Sequence, residues 1–343
     1  MDAPELKVLM VSQNNLDAVI GELEGVVRSS SKMIESYYTD TRASATLVYN
    51  GDGWVRGSFL RLVVGGREIG TFAVESESMS QASGGTTKTL ELRSMLYLMS
   101  LDKADWIWTV DAGQKVSSLS KWLLGSCGRS FIDNGNDYMV TAPFSFESDT
   151  SALARLFALH DIAGNRVDLD GRGNIVISAY VEPNRRAPSY VIDLDDPECL
   201  AHDGIGFQTD WLSLPNRVSI VYRYSESIGG ESVNREVAGS ADMEGELSAA
   251  SRGYVVSDLR VVNELEPPTA YAAQKMAQDI LAGIGETAEW KLKLSNAPIS
   301  AGDVVELRVN FGPERYQGAR KCLVKAIDTE LGFMTQTVTL KEV

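Results

Sequence analysis

The chain runs to 343 residues, 44% hydrophobic and 23% charged, with a net charge of −15 from 47 acidic and 32 basic side chains. That is enough chain for two to four domains with cores of their own. The acidic balance excludes the basic footprint that gripping nucleic acid or an anionic membrane requires, and no apolar run approaches the ~18 residues of a membrane span.

The N-terminus carries Asp2 and Glu5 with no basic stretch ahead of an apolar core, so no secretory leader is read there. Ala45–Asn50 reads as a strand, Gly51-Asp52-Gly53 as a turn and Trp54–Val64 as a second strand. Gly65-Gly66 then makes a two-residue hairpin connection into Arg67–Glu75. Ser76–Lys88, rich in Ser, Gly and Thr, reads as a long loop, and order resumes over Leu90–Met99.

From about residue 101 the period changes. Trp106, Trp108 and Val110 alternate as on a buried strand. Lys115–Cys127 places Val116, Leu119, Trp122 and Leu123 at helical spacing and ends at Gly128. Thr150–Ala163 does the same with Leu153, Leu156, Phe157 and His160, ending at Gly164. Arg166–Ile177 then reads as strand, tight turn, strand, completing a small α+β unit. Asp193–Pro215 is irregular, acidic and Pro-containing, and reads as a connector.

In Asn216–Tyr224, Val218, Ile220, Tyr222 and Tyr224 share one face of a strand. The polar stretch Ser225–Ser251, with its scattered glycines, reads as a second long loop. A helix is predicted over Ala270–Ala282 after Glu266-Pro267-Pro268-Thr269. Asp303–Phe311 repeats the strand pattern with Val305, Leu307, Val309 and Phe311, and Lys321–Ile327 with Phe333–Lys341 reads as a hairpin. The fold class expected is mainly β with an α+β insertion: an N-terminal β-domain over 1–100, an α+β domain over 101–192, and a second β-domain with one helix over 193–343 that can return strands to the first.

Little in these elements carries chemistry. Cys127, Cys199 and Cys322 form no CxxC pair, which argues against a disulfide framework or a zinc site and for assembly in a reducing cytoplasm. Asp168-Leu169-Asp170-Gly171-Arg172-Gly173-Asn174 is oxygen-rich like a calcium loop, but the twelfth position is Ala179 where a bidentate Glu is needed. A hairpin turn built on Asp and Gly accounts for it. The two histidines, His160 and His202, lie near no nucleophile elbow or HExxH pair. Trp106 and Trp108 with Asp105 and Asp111 come nearest to a sugar-cleaving composition. Gly125-Ser126-Cys127-Gly128 lacks the lysine of a phosphate-binding loop and reads as a helix end. No catalytic, cofactor-binding or metal-ligating residue is assigned.

Taken in order, several stretches resemble the tail hub family of bacteriophages, the baseplate hub of contractile tails and the N-terminal module of tail-associated lysins. Asp40–Leu47 is similar to the entry of the family's first β-domain, and Ala152–Ala158 with Val167–Ile175 to the helix and hairpin of its inserted domain. Pro215–Val218, Gly253-Tyr254 and Pro267–Thr269 are similar to the second β-domain and its helix, and Ala301–Val305 and Thr337–Lys341 to its closing strands. The resemblance implies no enzyme and no cofactor. It implies a virion structural protein of a phage or prophage tail, with two barrel-like β-domains per chain and a homotrimer. The ring of six domains would join the sixfold tail tube to a threefold tip. Distal tail protein, tail tube, tape-measure protein and a spike or lysin component would be its partners, DNA passing through without specific binding. No lysin domain follows Val343 in this sequence, so a spike or lysin is expected either in a part of the protein beyond it or on another chain. The two polar loops are expected at contacts between subunits. The alternatives are a glycan- or cell-wall-directed hydrolase, or a carbohydrate-binding module.

Overall fold

The computed structural model describes residues 4–51, 55, 58–82, 85–196, 201–208, 214–228, 231–263, 269–282, 289–295, 297–310 and 317–343. The chain forms two compact units, one from residues 1–206 with 290–343 and the other from residues 207–289.

The first unit opens with β1 (Leu6–Ser12), β2 (Val19–Glu22), β3 (Lys32–Ser36), β4 (Ala43–Asn50), β5 (Ser58–Val64), β6 (Arg67–Ala82) and β7 (Gly85–Ser94). Gly65 and Gly66 sit at φ 54° and 82°. Two consecutive left-handed residues are what a tight hairpin twisting with its strands needs, and glycine adopts them without a Cβ clash. Helix α1 (Met95–Leu101) follows β7 directly.

The inserted part comprises β8 (Trp108–Val110), α2 (Val116–Ser126), β9 (Phe131–Asn134), β10 (Phe144–Phe146), α3 (Ala152–Ile162), β11 (Asn165–Leu169) and β12 (Ile175–Ala179). Both helices begin and end where the sequence puts them. Ser151 caps α3 by accepting the Ala154 amide at 3.2 Å, and α2 closes with the Arg129 amide on Leu124 O at 2.9 Å and Gly128 at φ 63°. Leu123, Leu124, Leu153 and Leu156 pack with Leu96 and Met99 of α1 and with Val167, Ile175 and Ile177.

Strands β13 (Tyr190–Asp193) and β14 (Ala201–Gln208) then rejoin the main sheet. The second unit holds β15 (Arg217–Ile228), β16 (Glu231–Asp242), the short α4 (Ala249–Arg252), β17 (Ser257–Asn263) and α5 (Ala270–Ala282). Its sheet order is β16-β15-β17, and Val218, Ile220 and Tyr222 are buried with Ala273 and Ala277 of α5. The alternation seen in the sequence is thus the contact face for a helix.

The chain returns to the first unit with β18 (Glu289–Ser295), β19 (Val304–Val309), β20 (Gly318–Glu330) and β21 (Thr335–Glu342). The order β14-β18-β21-β20-β3-β4-β7-β6-β5-β1-β2, with β13 and β19 branching from β20, makes one thirteen-stranded sheet. The join is β3 to β20, with Ile34 opposite Asp328 and Glu35 opposite Ile327. Leu331 and Met334 enter the core of Leu47, Tyr49, Leu60, Leu62, Phe72, Leu90 and Leu92. The protein is mainly β with an α+β insertion. The two ends of the strand path, β14 and β2, do not pair, so the sheet closes no barrel among the described residues.

Four expectations need correction. Ser76–Lys88 forms paired strand, Met79 facing Lys88 and Ala82 facing Gly85. Ser225–Ser251 is strand for most of its length, β15 and β16 pairing from Arg217–Asp242 out to Ile228–Glu231. Residues 76–81 are exposed and lie beyond the core, so they lack the period that marks a half-buried strand, and in β16 the contact with α5 is made by the small residues Gly239 and Ala241, which carry no such signal. The expected connector contains β14, and strand β8 begins at Trp108, leaving Trp106 outside it and exposed. Phe311 and Pro267-Pro268 lie outside the described residues, as do Cys199 and the side chains of Tyr224 and His202.

Candidate functional site

The Asp168–Asn174 motif is a turn. Asp170 O accepts the Gly173 amide at 3.0 Å, and its carboxylate takes the Asn174 amide and side-chain N–H, each at 2.8 Å. With its oxygens spent on the loop, Asp170 has the geometry of a turn former. Among the described residues no group of three His, Cys, Asp or Glu side chains could hold a metal. The turn also makes a contact not foreseen in the sequence. Thr71 Oγ1 donates to Gly171 O at 3.0 Å, Arg61 to Arg172 O at 3.3 Å, and Arg172 Nε to Glu68 at 2.7 Å. The inserted hairpin is latched onto β5 and β6 through its tip.

His160 is buried, with Nε2 2.8 Å from Ser120 Oγ and Nδ1 3.3 Å from Asn165 Nδ2. Asn165 accepts the Asn136 amide at 2.7 Å and donates to Asn136 O at 2.8 Å, which fixes its NH₂ toward the imidazole. Nδ1 is therefore the acceptor and Nε2 carries the proton toward Ser120. That tautomer cannot take a proton from the serine, so the pair holds α2 and α3 together and does not activate a nucleophile. Burial pushes the His160 pKa down, against a smaller opposing pull from Asp133.

Trp108 lies 5.2 Å from Trp122 and stacks on Phe146 at 5.4 Å. A shallow groove beside it is lined by Trp108, Gln114, Lys115, Ser118 and Trp122 and by no carboxylate. Asp105 and Asp111 are exposed and do not line it. The groove has aromatic faces but not the carboxylate pair that sugar cleavage requires.

A polar cavity of about 390 Å³ lies where β3, β6, the β11–β12 hairpin and the Ser300–Asp303 turn meet. Its walls carry Arg42, Arg67, Arg166 and Arg186 together with Glu35, Glu68, Asp168, Asp170 and Asp303. Asp168 pairs with both Arg42 and Arg166, and the Arg166 guanidinium lies 4.1 Å over the Tyr37 ring. Burial lifts the Glu35 carboxyl to about 7, with Arg67 pulling it down and Asp303 pushing it further up.

Two features of the surface are suited to assembly. β2 ends the strand path as a four-residue edge, and its Val19 and Ile20 are 52% and 60% exposed. The outer part of the β6–β7 ribbon is solvent-facing and carries Met79, 67% exposed. A short edge bearing apolar side chains is a template for pairing with another chain.

Solved structures share this architecture over essentially the whole chain. A tail protein from Neisseria meningitidis MC58 superposes with a TM-score of 0.69 at 12% identity, over 98% of this chain and 96% of that one. The fold is that of phage tail proteins. The 43 kDa tail protein of prophage MuSo2 from Shewanella oneidensis gives 0.65 at 13% identity, covering 98% of each chain. Prophage tail protein gp18 from Listeria monocytogenes EGD-e gives 0.58 at 11% identity, over 98% of this chain and 94% of that one. No family model and no curated protein matches the sequence.

The arginine-lined cavity escaped sequence reading because its residues come from segments about 270 positions apart, from Glu35 to Asp303. The nearest signal was Arg166-Val167-Asp168, where a cation and an anion two apart face the same side of a strand.

Proposed function

We propose that this chain is a structural hub protein at the distal end of a phage or prophage-derived tail tube, forming a trimeric ring that joins the sixfold tube to a threefold tip. The observation that carries the reading is the match of 98% of the chain to the fold of tail proteins. The apolar edge strand β2 and the projecting β6–β7 ribbon support it, since both offer backbone and side chains to a neighbour. Distal tail protein, tube, tape-measure protein and a spike or lysin component are the partners in this reading, and the virion tail is the location. A net charge of −15 suits a channel through which DNA slides without being gripped.

Light scattering on the purified chain, alone and with tube subunits, tests this. A threefold mass or a ring in negative stain is expected in at least one of the two samples. A monomer in both, with no binding to the tube, overturns the hub reading. The Trp108–Trp122 pair favours one second reading, a carbohydrate-binding surface; saturable binding of cell-wall glycan by a chain that stays monomeric would establish it in place of the hub.

A further inference from the structure

Five carboxylates and four guanidinium groups line the cavity, but Glu68 pairs with Arg61 and Arg172 and Asp170 bonds within its own turn, so among the described residues Asp168 alone forms ion pairs with any of the four arginines. Asp168 is shared between Arg42 and Arg166. Arg186 donates through Nη1 to Gly302 O at 2.8 Å, which holds its plane in place. Its Nε and Nη2 are buried and make no hydrogen bond among the described residues. Those two nitrogens are one edge of the guanidinium fork, the edge that takes two oxygens of a carboxylate or phosphate side by side. The Arg166 guanidinium also lies against Gly302, since a Cβ there would stand 2.5 Å from Arg166 Nη2. Buried N–H donors left unmatched are costly, and proteins normally satisfy them with a partner.

We infer that the cavity is a binding site for a small oxyanion, a carboxylate or a phosphate, held bidentately by Nε and Nη2 of Arg186 with Arg166, Arg42 and Arg67 supplying further positive potential. The volume of about 390 Å³ is that of a small-molecule site and exceeds what a bare ion fills. Glu35 does not block it. With its carboxyl lifted to about 7, it carries a full negative charge only above neutral pH, and its protonated form offers an O–H donor.

The test is calorimetric titration of the full chain with inorganic phosphate, acetate and citrate against chloride at fixed ionic strength, paired with a selenate soak of crystals. Saturable binding of at least one oxyanion, weakened at least tenfold in Arg186→Lys, is expected, as is an anomalous selenium peak beside Arg186. Phosphate binding without acetate or citrate assigns a phosphate ligand, and the reverse assigns a carboxylate. The proposal is overturned by heats no larger than those of chloride for every oxyanion, by unchanged affinity in folded Arg186→Lys, or by phosphate binding with no selenium in the cavity. Because the titration and the soak use the unaltered protein, they decide the matter even where the variant does not fold.

Discussion

Glu35 and His160 bind protons in opposite senses, and the pH profile of stability follows from that. The Glu35 carboxyl, driven up by burial from 4.5 to about 7, holds its proton more tightly folded than unfolded. Its contribution is full below pH ~4.5 and is lost as pH rises towards 7. His160 has its pKa lowered by burial, so it stays neutral in the fold and its contribution is lost as pH falls below the unfolded value near 6.5. Glu35→Gln should therefore raise stability at pH 8 by on the order of 2 kcal/mol and flatten the decline between pH 5 and 7. Urea titrations of both proteins across that range check it, and identical slopes would count against the burial of this group.

Gly171 gives a purely steric expectation. A Cβ there would lie 2.1 Å from the Glu68 carbonyl oxygen, at the point where the inserted hairpin meets β6. Neither backbone can yield cheaply, so Gly171→Ala should cost about 1–3 kcal/mol, measured by chemical denaturation. Nothing in the sequence separates this glycine from an ordinary turn residue. The turn itself was legible, since Asp170 and Gly173 have the chemistry of one. Its docking was not, because contacts with Thr71 and Arg61 arise about 100 positions away.

Among elements, legibility followed burial on one face. Helices α2, α3 and α5 and strands β15 and β19 each press an apolar stripe against a neighbour, and their periods appear in the residues Val116–Leu123, Leu153–His160 and Val305–Val309. The outer part of the β6–β7 ribbon is exposed to solvent, so the ladder and the Lys88–Glu77 ion pair that build it leave no trace in hydrophobic pattern. Trp122 errs the other way, since it keeps the helical period of α2 yet is 50% exposed. Within the second unit, β16 approaches α5 so closely that a Cβ on Gly239 would lie 2.3 Å from the Gln274 amide nitrogen. Gly239→Ala should push the helix off the sheet and cost about 1–3 kcal/mol. Thermal unfolding of the variant should show an earlier transition for residues 207–289, and a melting curve unaltered from the parent would refute the close packing.

At the scale of the molecule, the main sheet joins strands from both ends of the chain, and this was the part least open to sequence reading. Strand sequences specify a buried face but not a partner, and the pairing of β3 with β20 connects residues nearly 300 positions apart. The interleaving sets an order of events during synthesis. Residues 1–206 leave the ribosome with β3 lacking its neighbour β20 and with the places of Leu331 and Met334 in their core unfilled. About 80 further residues, those of the second unit, must be made before β18 begins. At ~5–20 residues per second that is a wait of roughly 4–16 s. The second unit can complete its own small core within that interval, while the larger and earlier-made part remains an open sheet whose edge is free to pair with the wrong strand. A nascent chain of this design is most exposed to misassembly while β18 to β21 are still unmade, and their arrival is what seals the sheet.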